Sequence, residues 1–156
     1  RFATGTRNAV ALAVNEADIL SVESTYDGAY LDTRALLSTG LELAECYFCT
    51  NDIIAYGFIR ALREYGVSIP RDVSIIGFDN LPQIATMEPG LTTIDVSKRK
   101  IGNLAVTVLD DLIVAAEPQP PVKILVGAEL VLRASHEHGE SETAQVRATR
   151  KTQQPV

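Results

Sequence analysis

The spacing of apolar residues along the chain changes in a regular order. In residues 6–16, Ala9, Val10, Ala13 and Val14 recur at intervals of three and four, which predicts a helix. Ile19, Leu20 and Val22 make a short apolar run between polar neighbours and predict a strand. Asp27 is placed to cap a helix running to about Ser38, with Gly40 soon after as a stop signal. Residues 46–50 then read as a strand, and Asn51 and Asp52 supply caps for the next helix. Ile54, Ala55, Phe58, Ile59 and Leu62 form its apolar stripe, and Gly66 closes it. Past Pro70, residues 73–78 are apolar on both faces, which suits a parallel strand covered by helices on both sides. Strand, helix and strand in about 33 residues make a βαβ unit.

The pattern loosens through Pro82 and Pro89, and Leu91, Thr92, Thr93 and Ile94 predict a short strand. Ser97 is placed to cap a long helix with the stripe Ile101, Leu104, Ala105, Val108, Leu109 and Leu112. Pro118, Pro120 and Pro121 end it, and residues 122–126 and 129–132 read as two further strands. From His136 onward there is no Leu, Ile or aromatic residue. Such a segment buries too little apolar surface to offset its ordering entropy, so residues 136–156 are expected to be a disordered tail. Residues 1–135 then form one α/β domain with a mainly parallel sheet flanked by helices. In such sheets ligands sit at the carboxyl ends of the strands.

Composition narrows the function classes. Fourteen basic against twenty acidic side chains leave a net charge of −6 over 156 residues. That argues against a stand-alone module gripping nucleic-acid phosphates. No run approaches the ~18–20 apolar residues of a membrane span, so no membrane partner is expected. The chain opens on Arg1 and its one methionine is Met87, so it is expected to be a fragment or a processed product. The pair Cys46 and Cys49 has the spacing of a redox or zinc half-site, but residues three apart on a strand point to opposite faces. Without a second cysteine pair, buried and inert thiols in a reducing, cytoplasmic compartment are the expectation.

Two polar clusters follow strands directly. Asp79 can accept hydrogen bonds from ligand hydroxyl or N–H groups, or serve as a turn residue. Asn51 carries both a donor and an acceptor and could face a crevice, whereas Asp52 reads as a helix cap. Amides beside carboxylates suit polyhydroxyl ligands, whose hydroxyls both donate and accept. Tyr26 lies on the same carboxyl-end rim, where an aromatic ring could stack on a sugar or base. His136 and His138 flank Glu137 in the polar tail and lack the fixed backbone that a metal site needs. No metal or cofactor is expected, and no phosphate loop or nucleophile with its base appears, which disfavours an enzyme.

The segment Cys49-Thr50-Asn51-Asp52-Ile53-Ile54-Ala55-Tyr56-Gly57 precedes Ala61-Leu62-Arg63-Glu64-Tyr65-Gly66 and then Ile69-Pro70-Arg71-Asp72-Val73-Ser74-Ile75-Ile76-Gly77-Phe78-Asp79-Asn80. With Pro89-Gly90-Leu91-Thr92-Thr93-Ile94 and Leu130-Val131-Leu132-Arg133-Ala134-Ser135, this order resembles the LacI/GalR family of bacterial transcription regulators over most of residues 46–135. The resemblance implies a type I periplasmic-binding-protein-like sensor, here most of its C-terminal lobe plus the segment that crosses to the other lobe. It implies a small-molecule effector, a sugar or a purine-like compound, bound between two lobes. Operator DNA would be bound only through a helix-turn-helix outside this chain.

By the same resemblance Asn51 and Asp79 fall on effector-contact positions, and Tyr26 near that of an aromatic stacking residue. Arg1 stands four residues before Gly5, where the family places an effector-binding arginine three before a glycine. Relatives dimerise through the helix after Asn51 and the segment around residues 81–84. That makes Ile54, Phe58, Ile59, Leu62 and Leu81 the expected homodimer contacts, in an isologous interface. The rival class is a sugar-binding protein of a transport system, which shares the two-lobed architecture.

Overall fold

The computed structural model describes residues 19–115 and 117–136. Arg1, the expected helix over residues 6–16 and the tail after residue 136 lie outside the described residues. A four-stranded sheet runs in the order β1 (Cys46–Phe48), β2 (Ser74–Phe78), β3 (Thr92–Val96), β4 (Ala128–Val131). The first three strands are parallel and β4 joins antiparallel, with Tyr47 opposite Ile75, Phe78 opposite Ile94 and Ile94 opposite Leu130. The expected mainly parallel α/β sheet is therefore present.

Helix α1 (Tyr26–Ser38) starts at the cap Thr25, whose hydroxyl accepts from the Gly28 N–H at 3.1 Å. Helix α2 (Asp52–Glu64) starts at the cap Asn51, and the left-handed Gly66 (φ 80°) follows its end. The stripe predicted for α2 is the core. Ala55, Phe58, Ile59 and Leu62 pack with Val73, Ile75 and Leu91, all buried. Burial of each of the large side chains stabilises the fold by roughly 1.5–3 kcal/mol. The outer side of α2 carries α1, which approaches so closely at Gly57 that a Cβ would lie 2.9 Å from the Tyr30 nitrogen and 3.0 Å from the Ala29 Cβ. The middle of α2 thus lies between sheet and helix.

Two predicted strands find no partner among the described residues. Residues 19–22 and 122–126 pair with no described strand, although Leu20 packs against the core. A short apolar run has the same pattern whether or not a neighbouring backbone completes its ladder. Cys46 also corrects the expectation of two buried thiols: it is exposed on the edge strand β1, and Cys49 alone is buried. Helix α3 (Lys98–Val114) has the predicted length and stripe, yet none of its residues is buried. Ser97 holds its cap position without a side-chain cap bond. His136, assigned to the tail, belongs to the fold: its Nδ1 lies 2.7 Å from the Arg133 carbonyl oxygen and 2.8 Å from the Thr92 hydroxyl.

Candidate functional site

The sharpest local feature is the turn at the carboxyl end of β2. Asp79 (φ 107°) and Asn80 (φ 51°) both occupy left-handed backbone, which non-glycine residues adopt at a cost and mainly where the surroundings enforce it. Five contacts enforce it here. The Asp79 N–H donates to the Ile94 carbonyl at 2.9 Å, and the Asn80 N–H to the Thr93 hydroxyl oxygen at 3.3 Å. The Leu81 N–H donates to Asp52 Oδ2 at 2.8 Å. A guanidinium N–H of Arg133 donates to Asn80 Oδ1 at 2.8 Å, and the Lys98 ammonium donates to the Asp79 carbonyl. Among the described residues nothing pairs with the Asp79 carboxylate itself, which is half-buried. This arrangement presents a fixed acceptor at a strand end, as ligand recognition through hydroxyl or N–H groups requires.

Asn51 and Asp52, both read as caps for α2, divide that work in the structure. Asn51, read both as a cap and as a residue that could face the crevice, uses its side-chain oxygen to accept from the Ile54 N–H at 2.8 Å as the cap of α2. Asp52, expected to cap, is fully buried and accepts from the Thr93 hydroxyl at 2.6 Å as well as from Leu81. The reason is geometric: a cap needs an oxygen one residue before the first helical residue, and only Asn51 occupies that place. Space for Asp52 comes from Gly77, where a Cβ would overlap the Asp52 carboxylate. The sequence held one signal for this pairing: a glycine inside an otherwise apolar strand marks a close approach. Arg133 and Lys98 carried no such signal in the sequence.

Tyr26 does not join Asp79. It opens α1 and packs its ring 4.7 Å from that of Tyr56, and its hydroxyl accepts from the Arg60 guanidinium at 2.9 Å. Both tyrosines line a groove of about 530 Å³ together with Ile59, Arg60, Arg63, Glu64, Thr86, Met87 and Glu88. Arg60 also stands 4.3 Å from the centre of the Tyr30 ring, and Tyr30 donates its hydroxyl proton to Glu64 at 2.6 Å. That hydrogen bond, then Arg60, holds the Glu64 carboxyl below its ordinary range. Arg63 donates to the Glu88 carbonyl, tying the groove's far wall to α2. Tyr26, expected near an effector-stacking position, forms a wall of this groove.

The expected dimer contacts divide in the same way. Phe58, Ile59 and Leu62 are buried in the chain's own core, so an interface built from their side chains is corrected. Ile54 and Leu81 are partly buried against that core. Their apolar excess is explained by α2 having two covered sides, the sheet and α1. The residues α2 leaves exposed are Ile53, Tyr56, Arg60, Arg63 and Glu64. Among the described residues no group of three His, Cys, Asp or Glu side chains could hold a metal ion. Burial, then the nearby Asp52 charge, pushes the Cys49 thiol up to about 12, which makes it unreactive near neutral pH. No described helix is long and apolar enough to cross a membrane.

Residues 4–136 match the periplasmic binding protein-like domain family. The HTH-type transcriptional repressor PurR of Haemophilus influenzae is 36% identical over 126 residues, covering 80% of this chain and 37% of that protein. Among solved structures, a protein from Sanguibacter keddieii described as a LacI-family transcriptional regulator superposes with TM-score 0.73 at 31% identity, over 80% of this chain and 46% of that one. A LacI-family regulator from Enterococcus faecium with bound ribose superposes with TM-score 0.65 at 33% identity, over 76% and 43%. This chain thus spans less than half the length of each of these relatives. The βαβ core and these likenesses agree: the chain belongs to the periplasmic binding protein-like domain family, and the solved structures it resembles are of LacI-family regulators.

Proposed function

We propose that this chain is the C-terminal part of the effector sensor of a LacI/GalR-type transcription regulator, and that Asp79 contacts the effector. The observation that carries this reading is the half-buried Asp79 carboxylate, without a partner among the described residues, on a turn held by five hydrogen bonds. The effector is a small polyhydroxyl compound, since a fixed carboxylate acceptor suits vicinal hydroxyls and one similar structure contains ribose. Binding between two lobes would favour one relative arrangement of the lobes, and the resulting difference in affinity would alter operator binding by a helix-turn-helix outside this chain. The relatives' names are those of repressors and regulators, which favours a sensor over a transport binding protein or an enzyme. Free thiols in both cysteines suit a reducing, cytoplasmic setting.

The test is calorimetry of the complete regulator with neutral mono- and disaccharides, ribose first. Replacing Asp79 by Ala should weaken binding by about 1.5–3 kcal/mol, the range for hydrogen bonds to a charged group. Unchanged affinity in Asp79→Ala removes the assignment.

We further propose that the regulator is a homodimer whose contact is the groove of Tyr26, Tyr56, Arg60 and Met87. Tyr, Arg and Met are enriched at protein interfaces, and the groove presents Arg60 and Arg63 beside Glu64 and Glu88. A two-fold contact can therefore place opposite charges across the axis.

A further inference from the structure

We propose that Asp52 is the positioning residue of the Asp79 turn, a role that rests on the reading of Asp79 as an effector contact. Two consecutive left-handed residues persist only where neighbouring groups over-determine them. Asp52 reaches both amides that follow Asp79. It accepts the Leu81 N–H directly, at 2.8 Å. It reaches Asn80 through Thr93: the Thr93 hydroxyl donates to Asp52 Oδ1 at 2.6 Å, which turns its oxygen's free acceptor capacity to the Asn80 N–H at 3.3 Å.

The placement is one that a carboxylate alone satisfies. Asp52 is fully buried, and an ionised carboxylate only accepts, so both incoming donors are met without a competing donor of its own. Burying a carboxylate is costly. That cost is offset by the two hydrogen bonds and by the first turn of α2, where the helix dipole favours negative charge. Gly77 lets the carboxylate lie directly over β2, and Leu91 packs on the same spot, 2.9 Å from where a Cβ would stand. Arg133 holds the turn from the side chain of Asn80. The Asp79 carboxylate is the one acidic group of the turn left over for a ligand.

Amide hydrogen exchange by NMR on the 156-residue chain decides the matter without a ligand. In Asp52→Ala the Leu81 and Asn80 amides should exchange at least tenfold faster, while the Cys49 amide, bonded to the Ile76 carbonyl, keeps its native rate. Thr93→Val should speed Asn80 and leave Leu81 slow, and Thr93→Ser, which keeps the hydroxyl, should restore the native rate at Asn80. Should Asp52→Ala fail to fold, the Thr93 pair carries the test, because Val matches Thr in shape. Native exchange at Asn80 in Thr93→Val, or a uniform rise at every amide, overturns the proposal. Ribose titration of the complete regulator forms the second arm, with at least tenfold weaker binding expected in Thr93→Val. A native ribose affinity in Asp79→Ala would instead sink the effector reading and leave the exchange result standing.

Discussion

The Thr93 hydroxyl donates to Asp52 Oδ1 at 2.6 Å across 41 residues of sequence, joining the first turn of α2 to the start of β3. β2 lies between them in the layout of the sheet, since it pairs with β3 and its Gly77 is Thr93's register partner. Two motifs that look separate in the sequence, Asn51-Asp52 and Gly77-Phe78-Asp79, are therefore one unit.

Gly77→Ala tests this unit from the strand side. The added Cβ would overlap the Asp52 carboxylate and come within 2.9 Å of Leu91 Cδ2. Overpacking of this kind costs about 1–3 kcal/mol. Urea denaturation should show a midpoint lowered accordingly; an unchanged midpoint would mean that the carboxylate has room to retreat.

Asn51→Ala separates a cap from a ligand contact. Loss of the bond to the Ile54 N–H should lower stability by about 1 kcal/mol. Effector affinity of the folded protein should stay as it was. Weaker binding at undiminished stability would return Asn51 to the binding site.

Cys49 makes stability fall in alkaline solution. Its native thiol stays protonated to about 12, because of burial first and then the Asp52 charge, while the unfolded thiol ionises near 9.0. Above pH 9 the unfolded state therefore releases a proton that the native state keeps, and stability declines as pH rises from 9 towards 12. Denaturation midpoints of native protein and Cys49→Ala should converge over that window. At pH 8 iodoacetamide should label Cys46, which is exposed, and spare Cys49; equal labelling would contradict the burial.

Self-association distinguishes the two faces of α2. Tyr56→Glu, on the groove, should reduce the dimer fraction of the complete regulator in sedimentation while the fold survives. Phe58→Glu should unfold the protein, since Phe58 is 4% exposed and lies in the core. A folded, fully dimeric Tyr56→Glu would exclude the groove as the interface.

Residue spacing alone determined the βαβ unit around α2, the long α3 and the location of Asp79 after a strand. The alternation of three and four in Ile54, Ala55, Phe58 and Leu62 and the unbroken run at residues 73–78 are local patterns that packing reinforces. Tertiary structure decided which polar residue faces which way. Asn51 and Asp52 are neighbours with similar side chains, and only the position of Thr93, Gly77 and Leu81 in space assigns one to the cap and the other to the interior. It likewise decided that Phe58, Ile59 and Leu62 serve the core, because an apolar helix face has the same sequence pattern whether a sheet, a second helix or a second subunit covers it. Among the described residues, 19–22 have no strand partner, and the physical reason is the same: a strand is completed by hydrogen bonds to another segment, which its own pattern does not encode.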